Sequence, residues 1–217
     1  MRTRSIMGTS RLEAFSDGVI AIIITIMVLE LKVPHGTTAG DLRPLLPVFA
    51  SYALSFVYIG IYWNNHHHML QVTERVDGAI LWANLHLLFW LSLVPFTAAW
   101  MGENHRAAVP NAAYGIVLVM AAAGYTILQR AIINRQGRHS VLHQAVGGDR
   151  KGKLSLVLYL IAVPLAFVRP WLAEAIYVAV TFVWLLPDRR IERVIADLPD
   201  EALHSHAMAD APVDFVR

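Results

Sequence analysis

The chain has 217 residues, 56% of them hydrophobic and 16% charged, with a formal net charge of +2. Soluble domains carry about 45–50% apolar and about 25% charged residues, so the composition excludes an ordinary water-soluble globule, and the small net charge excludes a general nucleic-acid binder. There is no cysteine, which excludes disulfides and thiolate metal sites.

The apolar residues are gathered in long runs. A helix needs about 20 of them to cross the hydrocarbon core of a bilayer. The expected fold class is therefore all-α, a polytopic membrane protein with six transmembrane helices per subunit. Arg2 and Arg4 precede the first run, which imitates a signal peptide. Ser16-Asp17 interrupts that run and no small-x-small cleavage site follows, so the segment is expected to be retained. The spans are expected over residues 15–33, 45–63, 79–101, 110–131, 154–168 and 171–186. Pro95 and Pro164 lie inside spans, where proline kinks a helix. Arg169-Pro170 makes a tight turn between the last two spans, which read as a short hairpin.

Orientation follows from the basic residues. With the N-terminus in the cytoplasm, 14 of the 18 Lys and Arg residues fall inside, among them Arg11, Arg75, Arg130, Arg135, Lys151 and Arg190. Lys32, Arg43, Arg106 and Arg169 fall outside. This bias predicts a multi-pass protein of the cell membrane with both termini cytoplasmic. Residues 1–193 are expected to form one transmembrane domain. Residues 194–217, polar and rich in Ala, Asp and His, are expected to be a disordered cytoplasmic tail.

The first span has the sharpest pattern. At 100° per residue, Arg11, Phe15, Gly18, Ile22, Thr25 and Leu29 form one stripe, with Ile26 on its edge. Their alternating spacing of four and three is a heptad-like seam, suited to a helix that meets copies of itself. Gly18 on the seam permits close approach. Asp17 points away from it. A carboxylate in the bilayer costs about 2.5–3.5 kcal/mol on insertion scales unless it finds partners, so Ser16 and Asp17 are expected to face the interior of the protein. Partners at the same depth are Arg11, one or more of His66, His67 and His68 at the end of the second span, and Asn84 at the start of the third.

These residues carry a resemblance. Arg11-x-x-x-Phe15-Ser16-Asp17 resembles the signature that opens the first span in the transmembrane protein 175 family of potassium channels. Tyr62-Trp63-Asn-Asn-His66-His67, Trp82-x-Asn84, Leu93-Val94-Pro95-Phe96 and Met101-Gly102-Glu103 are similar to that family as well. The likeness is strong over the first half of the chain and rests on span count beyond it. It implies a pore lined by the first helices, with a hydrophobic constriction at Ile22 and further pore-facing positions at Thr25, Ile26 and Leu29. It implies a homotetramer of single six-span units; the basic loop between the fourth and fifth spans and the Arg189-Arg190 cluster are expected to meet membrane lipids. Potassium would be the permeating ion, with no cofactor and no nucleic acid. Arg11, Phe15, Ser16, Asp17, His66, His67 and Asn84 would form a structural polar network. No Thr-Val-Gly-Tyr-Gly filter is present, so rings of Ile22 and Leu29 would gate by dewetting and selectivity for potassium would be modest.

Two rival readings stand beside the channel. One is a proton- or metal-coupled secondary transporter using Asp17 and the His66–His68 cluster; against it, no repeated halves are visible. The other is a membrane enzyme, which the lack of a His-Glu-x-x-His or nucleophile-base spacing disfavours. Three consecutive histidines on one helix point about 100° apart and do not share an ion, so no metal site is expected from them. A pH-sensing role suits them better.

Overall fold

The computed structural model describes residues 8–137, 140, 142–143 and 149–185. Arg2, Arg4, Arg138, Arg189, Arg190, Arg193 and the 194–217 tail therefore lie outside the described residues. Helix α1 spans Thr9–Ile26 and tightens into a 3₁₀ turn over Met27–Glu30. After an extended stretch, Thr38 caps a second 3₁₀ segment, Ala39–Leu45, in a reciprocal capping box with Asp41. Helix α2 follows at Leu46–Gln71, with Pro47 in its first turn, where the missing N–H costs nothing.

Asp77 caps helix α3, Gly78–Ser92, by accepting from the Ile80 amide at 3.1 Å. The expected third span is here two helices. Pro95 cannot donate to the carbonyl of Leu91, and its ring crowds that carbonyl. The chain breaks at Leu93, whose amide bonds Trp90 O at 3.2 Å, and resumes as α4, Val94–Glu103. Ser92 Oγ donates to Phe89 O at 2.7 Å and Thr97 Oγ1 to Leu93 O at 3.1 Å, so hydroxyls occupy carbonyls around the break. Helix α5, Ala108–Gln136, ends at Gly137, whose φ of 91° would strain any other residue. Helix α6, Arg150–Val168, runs unbroken through Pro164. Helix α7, Pro170–Leu185, begins directly after Arg169.

Among the described residues, five helical stretches are long and apolar enough to cross a membrane: Thr9–Glu30, Ala39–Gln71, Gly78–Glu103, Ala108–Gln136 and Arg150–Val168. Helix α7 is apolar but shorter, about 24 Å at 1.5 Å per residue. Helix α5 packs between α3 and α6, and α7 lies against α6. On the other side, α1 rests on α2, α3 and α4. Close packing is set by glycines. A Cβ on Gly124 would sit 3.1 Å from Leu87 Cα, so this glycine lets α5 approach α3. Polar side chains tie the helices together. Tyr58 donates to Tyr177 O at 2.6 Å, Tyr177 to Asn111 O at 2.9 Å, and Ser55 shares a 2.9 Å bond with Tyr114. All of these groups are buried, so each bond satisfies atoms that water does not reach.

Candidate functional site

Helix α1 has two unlike faces. Leu12, Ser16, Ile20, Ile23 and Met27 are buried against α2, α3 and α4. The opposite face carries Arg11, Phe15, Gly18, Ile22, Thr25, Ile26 and Leu29, all exposed in the single chain. Ile22 is 60% exposed and Leu29 79%. The residues that the spacing puts on one stripe are those the rest of the chain leaves uncovered. Ala21 and Val28, on the flank of that stripe, are exposed too. Thr25 Oγ1 donates back along the helix, to Ala21 O at 2.9 Å and Ile22 O at 3.0 Å. With its hydrogen spent on the backbone, the hydroxyl presents only oxygen lone pairs outward.

Beneath this face lies a polar cluster shared by α1, α2 and α3. Asn84 Nδ2 donates to Ser16 Oγ at 2.9 Å, and Ser16 Oγ donates to Leu12 O at 2.8 Å. Asn84 Oδ1 lies 2.7 Å from His66 Nε2. Because the amide nitrogen of Asn84 faces Ser16, its oxygen must accept, and His66 Nε2 carries the hydrogen. Ser16, His66 and Asn84 are each fully buried. His66 Nδ1, also buried, has no hydrogen-bond partner.

Asp17 is half-buried and takes a different partner. Its Oδ1 accepts from Trp63 Nε1 at 3.0 Å. His67 turns toward Glu13, with Nδ1 2.8 Å from Glu13 Oε1. Its Nε2 lies 2.8 Å from the amide of Gln71, and its ring stacks on Trp63 with centroids 5.9 Å apart. His68 lies 3.4 Å from Gln71 Oε1, with its ring centroid 5.7 Å from that of His67.

The structure thus joins Ser16, His66 and Asn84 in one chain of hydrogen bonds, and Asp17 and His67 in a second cluster beside it. It does not bring in Arg11 or Phe15. Arg11 is exposed on the open face, with no side-chain partner among the described residues, and the Phe15 ring is 51% exposed. The reason is azimuth. Arg11 lies six residues before Asp17, about 240° round the helix, so sharing a depth does not bring the two together. Sequence reasoning also missed Glu13 and Trp63. Both contacts depend on how α1 and α2 are rotated against each other, although Glu13 and Asp17 stand four residues apart on one face.

Toward the other end of α1, Lys32 forms an exposed ion pair with Glu103 at the end of α4. Gly124-Tyr125-Thr126, a partial likeness to the absent Thr-Val-Gly-Tyr-Gly filter, lies within helix α5, with Gly124 buried.

Comparison with known proteins gives this arrangement a context. The family model described as endosomal/lysosomal potassium channel TMEM175 matches residues 11–95. A potassium channel of Chryseobacterium sp. (strain P1-3) is 51% identical over 191 residues, covering 88% of this chain and 100% of that protein. A potassium channel of Chamaesiphon minutus is 34% identical over 184 residues, 77% of this chain and 89% of its own length. The endosomal/lysosomal proton channel TMEM175 of Danio rerio is 31% identical over 136 residues, 59% of this chain but 25% of that protein. The crystal structure of a lysosomal potassium-selective channel TMEM175 homolog from Chamaesiphon minutus superposes with a TM-score of 0.73 at 30% identity, covering 83% of this chain and 97% of that one. Identity sustained over the length of two bacterial relatives, together with the shared helical architecture, makes this chain a member of the TMEM175 family of multi-span membrane ion channels.

Proposed function

We propose that the chain is a potassium-conducting channel of modest selectivity, a homotetramer in which copies of α1 surround the pore. Ile22, Thr25, Ile26 and Leu29 would line it, with Ile22 as the constriction. The observation that carries this reading is the open face of α1. It is largely apolar but holds a glycine, a threonine and an arginine in register, a mixture that lipid does not require and a narrow ion path can use. The bacterial relatives named as potassium channels supply the ion.

Ions would pass between apolar rings that exclude water when closed. The Thr25 oxygens, their hydrogens engaged along the helix, would offer weak coordination to a partly dehydrated cation. Potassium gives up water more readily than sodium, so weak coordination favours it slightly. The buried Ser16–Asn84–His66 chain would hold α1 at a fixed rotation, so that the same residues face the axis in every subunit. The basic residues favour a cell-membrane protein with cytoplasmic termini, and the Lys32 end of α1 would then open outward.

Single-channel recording of the reconstituted protein tests the reading. Unitary openings in potassium, with increased leak and weaker selectivity in Ile22→Asn, are expected. Slow, saturating flux that Ile22→Asn leaves unchanged would overturn it. The animal relatives are named as proton channels, so protons are the second candidate ion. Reversal potentials measured under opposed potassium and pH gradients decide between the two.

A further inference from the structure

We propose that Glu13, Asp17 and His67 form a site for one divalent transition-metal ion per chain, bridging α1 and α2. One donor atom from each residue lies within 4.8 Å of the other two. Glu13 and Asp17 stand one turn apart on α1, so both carboxylates face α2. His67 Nδ1 comes to 2.8 Å from Glu13 Oε1. Yet that nitrogen is buried and makes no hydrogen bond. The approach is a convergence of donors without an in-line proton. A metal would take these donors at about 2.0–2.2 Å, with water in the remaining position.

The surroundings are those of a metal ligand set. Metal-binding imidazoles hand their other nitrogen to an oriented polar group. Here the Gln71 amide lies 2.8 Å from His67 Nε2; turned about its last bond, it accepts the Nε2 hydrogen with its oxygen and leaves Nδ1 free to ligate. Asp17 is held on the other side. Trp63 Nε1 binds Oδ1, which leaves Oδ2 for the ion, and the Trp63 ring stacks on His67 and fixes its plane. Two carboxylates balance a divalent charge. One imidazole among them favours zinc-like or manganese-like ions over potassium, and too few oxygens converge for calcium, which takes about six to eight.

Isothermal titration of the purified full-length protein with Zn²⁺, and visible spectroscopy with Co²⁺ as its stand-in, test the site. The expected result is saturable binding of one ion per chain, weakened at least about tenfold in E13Q and in H67Q and also in Q71A. His86→Gln, on α3, should keep wild-type binding. Zn²⁺ should raise the unfolding midpoint of the wild type and not of E13Q. Each variant is first shown to keep its helical circular dichroism and elution volume; if one does not, the others carry the test. Binding unchanged in E13Q and H67Q, or no saturable binding below millimolar Zn²⁺, overturns the proposal.

Discussion

Ser16 on α1 accepts a 2.9 Å hydrogen bond from Asn84 on α3 while its own hydrogen goes to Leu12 O. Asn84 in turn accepts from His66 on α2. One amide therefore joins three helices, and both of its ends are buried. Asn84→Leu leaves the Ser16 oxygen and the His66 N–H unpaired. It should cost about 2–4 kcal/mol, since each stranded buried group costs about 1–3 kcal/mol. Ser16→Ala strands only the Asn84 N–H and should cost less, about 1–3 kcal/mol. Thermal unfolding of the detergent-solubilised protein would rank the two; equal effects would mean that the amide is not the joint.

Two glycines make opposite predictions. A Cβ on Gly115 collides with the Tyr177 hydroxyl and approaches Val163 Cγ2 at 3.0 Å, so Gly115→Ala should destabilise by about 1–3 kcal/mol as the Tyr177–Asn111 bond is displaced. Gly18 has nothing within 4 Å of such an atom in its own chain. Gly18→Ala should leave the subunit as stable or gain roughly 0.5–1 kcal/mol of helix propensity. It should weaken the oligomer if α1 copies meet at the seam. Light scattering coupled to size exclusion reads the second effect; an assembly unmoved by both Ala and a bulkier Leu at position 18 would place that face elsewhere.

These contrasts show what the sequence could and could not convey. The open and covered faces of α1 were legible because helical periodicity alone separates Ile22 and Leu29 from Ile20 and Ile23. Among the described residues, five apolar stretches were legible by length, and the sixth, α7, by its apolar composition although it is shorter. The full break at Leu93 was not, because a proline announces a disturbance without saying whether the helix runs on through it, as at Pro164, or stops and restarts, as at Leu93. Asn84, His66 and Ser16 could be listed as groups of one depth, but their pairing, and the turning of His67 to Glu13 and of Asp17 to Trp63, depend on the mutual rotation of α1, α2 and α3. That rotation comes from contacts distant in sequence. The same ignorance of azimuth put Arg11 in a cluster it does not join.

At the far end of α1, the Glu103 carboxylate raises the Lys32 pKa above its ordinary 10.5, first by its hydrogen bond and then by its charge, with Glu30 adding to it. A raised ammonium pKa contributes fully below the unfolded value and is lost only as pH climbs through the folded one. Lys32 is therefore charged at every pH in ordinary use and offsets Glu103. Lys32→Ala should uncover negative charge near Glu30 and raise cation current at low salt. The difference should fade at 1 M salt, where charges are felt over about 3 Å. Current that falls in Lys32→Ala, or a gain that persists at 1 M, would argue that this end does not face the ion entrance.

Thr25 offers the most direct test of how ions are told apart. Its hydroxyl hydrogen is committed to Ala21 O and Ile22 O, so any cation beside it meets lone pairs only. Thr25→Val keeps the shape and removes the oxygen. If the proposed ring supplies even one net polar contact worth about 1 kcal/mol, the potassium-to-sodium permeability ratio should fall about fivefold, while single-channel current persists because the bore is unchanged. Thr25→Ser keeps the oxygen and should keep most of the ratio. Bi-ionic reversal potentials of the two variants, recorded beside the wild type, measure this. A Val variant as selective as the Ser variant would move discrimination away from residue 25, to the apolar rings at Ile22 and Leu29, where only the cost of shedding water is left to separate the ions.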